Sequence, residues 1–219
     1  MSDLQEFRDA SGEIPVRGML HLPDAAPDGA IVLTHGAGAN CNAPLLITLA
    51  NSFCVSGFAV VRCDLPFRQL RPHGPPPRGS AERNQQGLRS AVRAIQRDIS
   101  ARAFLGGHSY GARQASMLAA TQPDLVEALL LLSYPLHPPQ RPADMRTSHF
   151  PRLKTPALFV HGTRDGFGSL AEMEHALKLI PGRTQLNSVD GSGHELMSKH
   201  NRNELPQLIV DAFRAFVGN

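Results

Sequence analysis

Along this chain, short uninterrupted apolar runs alternate with longer stretches in which apolar residues recur every three or four positions. Residues 31–34 (Ile-Val-Leu-Thr) read as a buried strand followed by a Gly-rich turn. Pro44 then opens a helical pattern, with Leu45, Leu46, Leu49, Ala50 and Phe53 on one face, closed near Gly57. Residues 58–61 read as the next strand. Leu88, Val92, Ile95 and Ile99, spaced four, three and four apart, predict an amphipathic helix over about 84–100. Strands are predicted at 103–105, 128–132, 157–160 and 184–189. Helices are predicted at 112–120, which is rich in small residues, at 170–179, and at the C-terminus, where Leu205, Leu208, Ile209, Ala212, Phe213 and Phe216 form a stripe. The stretch up to Leu22 is expected to add one or two antiparallel edge strands.

Strands that are apolar throughout and alternate with helices imply a mostly parallel sheet covered on both faces. Right-handed crossovers then give a doubly wound α/β domain, expected to span residues 1–219 as one unit. Ligands in such sheets bind beyond the carboxyl ends of the strands, so chemistry is to be sought just after each strand. Two Pro-rich segments, 64–83 and 134–152, break the alternation. Both are too long for simple turns, as functional loops often are, and too short for a separate cap domain. They are expected to bound an open pocket.

Composition narrows the function classes. A chain of 219 residues, 42% hydrophobic and with a net charge of +3, can build a core without disulfides or structural metals. The longest apolar run, 128–132, is far too short to cross a bilayer. The polar, acid-bearing N-terminus lacks the pattern of a secretion signal, so the expected compartment is the cytoplasm. Cys41, Cys54 and Cys63 form no C-x-x-C pair and read as reduced thiols. A pI near 9.0, and nine arginines against three acids between Arg62 and Arg102, raise nucleic-acid binding as a possibility. With no Trp and two Tyr, however, stacking platforms are scarce and that partner is set aside. Arg68, Arg71, Arg78 and Arg83 could favour an anionic substrate, although a solvated basic loop is the plainer reading.

Gly107-His108-Ser109-Tyr110-Gly111 places G-x-S-x-G between a predicted strand and a predicted helix. A sharp turn of this kind needs small residues two before and two after the Ser, and the helix that follows offers backbone N–H groups and partial positive charge to a developing anion. A phosphate loop is the competing reading, but the Lys of a Walker loop is missing. A Ser hydroxyl needs a base, and the base needs an orienting group. Of ten histidines, His194 lies in a Gly-flanked loop right after the last strand. His161 is expected to shape its own turn, and His108 to point away from Ser109. His21, His73, His137, His149, His175 and His200 are expected to be solvated. For the acid, Asp165 follows the strand at 157–160, while the rival Asp190 shares the loop of His194. Oxyanion donors are expected from the N–H of Tyr110 and from the loop 34–40, with Ala37 preferred and Gly38 the alternative.

These four ordered signals, His35-Gly36-Ala37-Gly38, the elbow at Ser109, His161-Gly162-Thr163-Arg164-Asp165 and Gly193-His194, resemble the α/β-hydrolase superfamily, and within it the small lidless dienelactone-hydrolase-like members. The resemblance runs from about Ile31 to the C-terminal helix. It implies an eight-stranded sheet, a Ser-Asp-His triad of Ser109, Asp165 and His194, and hydrolysis of an ester or related acyl bond in a small-molecule substrate. Neither metal nor organic cofactor is called for. Dienelactone hydrolases proper carry Cys where this chain has Ser109, so their substrate is not carried over. A peptidase or thioesterase, or a scaffold protein with little catalysis, stays open at this point.

Overall fold

The computed structural model describes residues 3–100 and 102–218. Eight strands, β1 (Asp3–Asp9), β2 (Val16–Leu22), β3 (Gly29–Thr34), β4 (Phe58–Cys63), β5 (Ala103–His108), β6 (Ala128–Leu132), β7 (Ala157–Gly162) and β8 (Thr184–Val189), form one sheet. Their spatial order is β1-β2-β4-β3-β5-β6-β7-β8. The β1–β2 and β2–β4 pairings are antiparallel and every other pairing is parallel. The edge strands expected before Leu22 are therefore β1 and β2.

Helices α1 (Pro44–Val55), α3 (Ala81–Asp98), α4 (Tyr110–Thr121), α5 (Leu170–Leu177) and α6 (Leu205–Gly218) flank the sheet, and a short α2 (Pro66–Leu70) follows β4. Successive strand residues point to opposite faces, so the apolar run of each central strand feeds two cores. Ile31, Leu33, Phe104, Leu130 and Leu132 pack with α1 and α6. Val32, Leu105, Leu129 and Leu131 pack with α3, α4 and α5. Phe53, Phe58, Phe104 and Phe213 meet edge to face at centroid separations of 5.3–5.9 Å in the first core. In the second core Ala112, Ala115 and Ala119 let α4 approach the sheet closely. No separate cap domain is present among the described residues.

The Pro-rich segments are more ordered than their composition suggests. Pro66 is the first residue of α2, where its missing N–H costs nothing. The helix expected from about 84 already starts at Ala81, leaving 71–80 as the loop. The second segment buries Tyr134, Leu136 and Phe150 completely and ends in a 3-10 turn, Phe150–Arg152. Three of the histidines expected in solvent are also buried. His21 accepts from Arg62 Nε at 2.9 Å, His149 meets Ser116, and His137 is buried within the second segment itself. Only His73, His175 and His200 of that group are exposed. The three cysteines are buried, Cys41 and Cys63 as free thiols, and burial pushes the Cys41 thiol up to about 12. Among the described residues no helix is long and apolar enough to cross a membrane.

Candidate active site

The carboxyl ends of β3, β4, β5, β7 and β8 lead into the loops that carry the chemistry. Ser109 follows β5 directly and caps α4 with φ 52° and ψ −113°, outside the ordinary regions for a side-chain-bearing residue. Its neighbours explain how the turn is held. Ser109 N–H donates to Leu132 O of β6 at 2.8 Å, and Ser109 O accepts the first bond of α4 from Arg113 N–H. A Cβ on Gly107 would lie 2.6 Å from the Gly111 carbonyl carbon, and one on Gly111 would lie 2.7 Å from His35 O. Only glycine fits either place, so the two glycines of G-x-S-x-G allow strand, helix and neighbouring loop to converge.

The three side chains singled out in the sequence touch in series. Ser109 Oγ lies 2.7 Å from His194 Nε2. His194 Nδ1 lies 2.8 Å from Asp165 Oδ2 and 3.0 Å from Oδ1. A carboxylate only accepts, so Nδ1 carries the proton and Nε2 turns its lone pair toward the hydroxyl. Burial works to raise the Asp165 pKa, but hydrogen bonds from His194 and from Phe167 N–H (2.8 Å) outweigh it and hold the carboxyl below its ordinary value. Asp190, the rival acid, is exposed and reaches Thr163 Oγ1 at 3.4 Å instead.

The loops of Asp165 and His194 are laced together. Arg164 N–H donates to Ser192 O at 2.9 Å and Thr163 N–H to Val189 O at 3.1 Å. A Cβ on Gly162 would sit 2.3 Å from Ser192 O, so the end of β7 passes the His194 loop with no room for a side chain. His161 Nε2–H donates to Gly168 O at 2.7 Å, closing the turn that presents Asp165. His108, expected to point away from the pocket of Ser109, instead lines the pocket beside the site; its ring centroid lies 5.5 Å from that of His194 and its Nε2–H donates to His194 O at 2.9 Å. Burial is the main cause of a lowered pKa there, which keeps the ring neutral.

Behind the hydroxyl, loop 35–40 runs beside the elbow. Leu65 N–H donates to His35 Nε2 at 3.1 Å, which leaves Nδ1–H to donate to Gly36 O at 2.8 Å. A trans peptide points its C=O and N–H in opposite directions, so fixing Gly36 O also aims the Ala37 N–H. Tyr110, as the first residue of α4, has no intrahelical acceptor for its N–H. Asn84, fully buried, donates to Tyr110 Oη at 3.0 Å and accepts from Phe67 N–H at 3.2 Å, while the Phe67 ring lies between His35 and Tyr110.

Three features escaped the sequence reading. Phe167 stacks on the His194 ring with centroids 4.0 Å apart and planes at 27°. Its carbonyl accepts from His137 N–H at 3.0 Å, which ties in the second Pro-rich segment. Arg68, expected in a solvated basic loop, is buried beneath loop 35–40, whereas Arg71, Arg78 and Arg83 are exposed as expected. The pocket beside the site, about 240 Å³, is lined by Gly36, Ala43, Leu45, Leu46, His108 and Met197 among others, and by neither Pro-rich segment. A roomier cavity of about 570 Å³ sits by Ala103, Glu127 and Pro156, at the amino ends of the strands and away from these groups. Among the described residues no three His, Cys, Asp or Glu are placed to hold a metal ion.

The fold recurs in solved structures. A dienelactone hydrolase from Anabaena variabilis superposes with a TM-score of 0.79 at 21% identity, covering 98% of both chains. Est1E from Butyrivibrio proteoclasticus gives 0.77 at 15% identity, over 98% of this chain and 99% of the other. An α/β serine hydrolase homologue from Coxiella burnetii gives 0.75 at 18%, over 95% and 96%. At these identities the likeness is one of fold. Residues 27–217 match the family model described as the alpha/beta hydrolase domain. The chain belongs to the α/β-hydrolase family.

Proposed function

We propose that this chain is a single-domain serine hydrolase that cleaves a carboxylic ester or related acyl bond of a small molecule through an acyl-enzyme on Ser109. The observation that carries this reading is the unbroken series of contacts from Ser109 Oγ through His194 to Asp165. His194 Nε2 takes the hydroxyl proton as Oγ attacks the acyl carbon. The carbonyl oxygen becomes an oxyanion facing the N–H groups of Ala37 and Tyr110, an interaction worth a few kcal/mol of barrier in sites of this kind. The tetrahedral intermediate collapses, and the leaving alcohol departs with the proton held on His194. Water then gives a proton to His194 and attacks the acyl-enzyme. The acid is released and Ser109 recovers its proton.

Asp165 stays ionised throughout, orients the ring and stabilises the imidazolium. The Phe167 face keeps the ring from swinging off the hydroxyl. The steps use protein groups and water alone. The likeness of fold to an enzyme described as a dienelactone hydrolase makes an ester the first bond to try. The test is a panel of chromogenic esters, a thioester and an anilide, graded in acyl length and charge, run on wild type and Ser109→Ala. Ester turnover that Ser109→Ala abolishes supports the reading. A folded wild type inert on every substrate, or turnover that survives the substitution, refutes it.

A further inference from the structure

Arg68 is a charged residue in a Pro-rich segment, yet it is only 5% exposed, and among the described residues no carboxylate lies within ion-pairing distance of it. Its guanidinium spends its donors on backbone carbonyls. Nη2 donates to Ala37 O at 2.7 Å and to Gly74 O at 3.0 Å, Nε to Ala39 O at 2.8 Å, and Nη1 to Arg71 O at 3.1 Å. Two of these carbonyls belong to the loop beside Ser109 and two to loop 71–80. The side chain thus bolts one loop to the other.

The geometry has a consequence for the proposed oxyanion donors. Ala37 O and Gly38 N–H share one planar trans peptide, so holding the oxygen toward Arg68 turns the Gly38 N–H the opposite way. His35 holds the preceding peptide through Gly36 O. Between them the two side chains fix both peptides that bracket Ala37. Gly38 itself is exposed and has open space where a Cβ would stand, so no side chain packs at that point of the loop. Without Arg68, the 37–39 arm would keep, among the described residues, the turn bond from Ala39 N–H to Gly36 O at 3.2 Å. The planar five-donor fork of Arg can satisfy four acceptors at once, whereas the three donors of Lys cannot.

We infer that Arg68 is a positioning residue for the oxyanion arm: it holds the 37–39 backbone in the orientation that receives the transition-state charge, and does not bind substrate. This rests on the acyl-enzyme reading above. Because the arm matters when charge develops on the carbonyl oxygen, Arg68→Met is expected to lower kcat about 30- to 100-fold with KM within about twofold. Arg68→Lys is expected to fall between wild type and Arg68→Met. Guanidinium added at tens of millimolar to Arg68→Ala should restore part of kcat, and an alkylammonium ion at the same concentration should not.

Circular dichroism establishes that each variant is folded before its kinetics are read. A folded Arg68→Met with wild-type kcat overturns the inference. So does a rise in KM with kcat unchanged, which would make Arg68 a substrate contact. Failure of both Arg68→Met and Arg68→Lys to fold also overturns it, since the residue would then hold the fold and not the arm. A wild type inert on every ester would instead strike at the acyl-enzyme reading, so the two failures are distinguishable.

Discussion

Among the described residues, two serine–imidazole pairs are of nearly equal length yet stand in very different surroundings. Ser109 Oγ is 2.7 Å from His194, and Ser116 Oγ is 2.8 Å from His149. Ser116 lies two turns further along α4 in ordinary helical backbone, where its hydroxyl donates to Arg113 O at 3.0 Å. The hydroxyl proton there already has an acceptor. His149 is buried and stands near the cations Arg113 and Arg152 with no carboxylate behind it, and burial first, then those charges, lower its pKa to about 4. Ser109 has a strained backbone, partial exposure, and an imidazole turned by Asp165. A short hydroxyl–imidazole contact is therefore not a nucleophile. On the proposed reading, what distinguishes the two is the carboxylate that sets the tautomer, access for a substrate, and backbone donors where the oxyanion would form.

Substitution at the two serines gives the largest separation. Ser109→Ala is expected to lower ester kcat by about 10⁴-fold or more, because nucleophile and base fail as a unit. Ser116→Ala should leave kcat within about twofold and cost on the order of 1 kcal/mol of stability through a lost buried hydrogen bond, read by denaturant titration. Next come the acids. Asp165→Asn should cost about 10³- to 10⁴-fold in kcat, since an amide in that place favours the wrong imidazole tautomer. Asp190→Asn should change it less than twofold. The reverse ordering in steady-state kinetics would reassign the acid. Phe167→Ala should lower kcat about tenfold by loosening the His194 ring, with the fold intact by circular dichroism.

The last effect, on stability and not on rate, belongs to the buried pair. The folded value of His149 lies near 4, below an ordinary imidazole at ~6.5, so the unfolded chain takes up protons first as pH falls. Stability is present above about pH 6.5 and declines toward pH 4, by on the order of 3 kcal/mol for this one group. His21, also lowered to about 4 by burial and Arg62, acts in the same direction. His149→Gln can keep a bond to Ser116 and should make the fall in Tm between pH 6.5 and 4 visibly shallower, without removing it. An unchanged slope would contradict the burial-driven shift.

Much of this was legible in the chain because the signals are local. An apolar run as short as 128–132 favours an interior strand by its length, and a Gly-flanked Ser between strand and helix leaves few alternatives. Ser109, Asp165 and His194 could be singled out because each stands at the end of a strand or in the loop that follows one, and the sheet brings strand ends together. Arg68 was not, because its partners are backbone carbonyls from 37 to 74, which carry no residue-type signature. In a Pro- and Arg-rich stretch its letter looks like those of Arg71 and Arg78, which are indeed exposed. His21, His137 and His149 were misjudged for a similar reason: a polar residue is buried when a distant partner satisfies it, as Arg62 and Ser116 do for two of them. Phe167 read as one apolar residue in a loop, and nothing in periodicity announces a ring stacked on an imidazole.

The most direct test is intact-mass and peptide-mapping analysis after reaction with a fluorophosphonate, on wild type and on Ser109→Ala. One covalent adduct, carried on Ser109 and absent from the folded Ser109→Ala protein, is the expected result. An unlabelled folded wild type, or an adduct on Ser116 or any other residue that persists in Ser109→Ala, would contradict it.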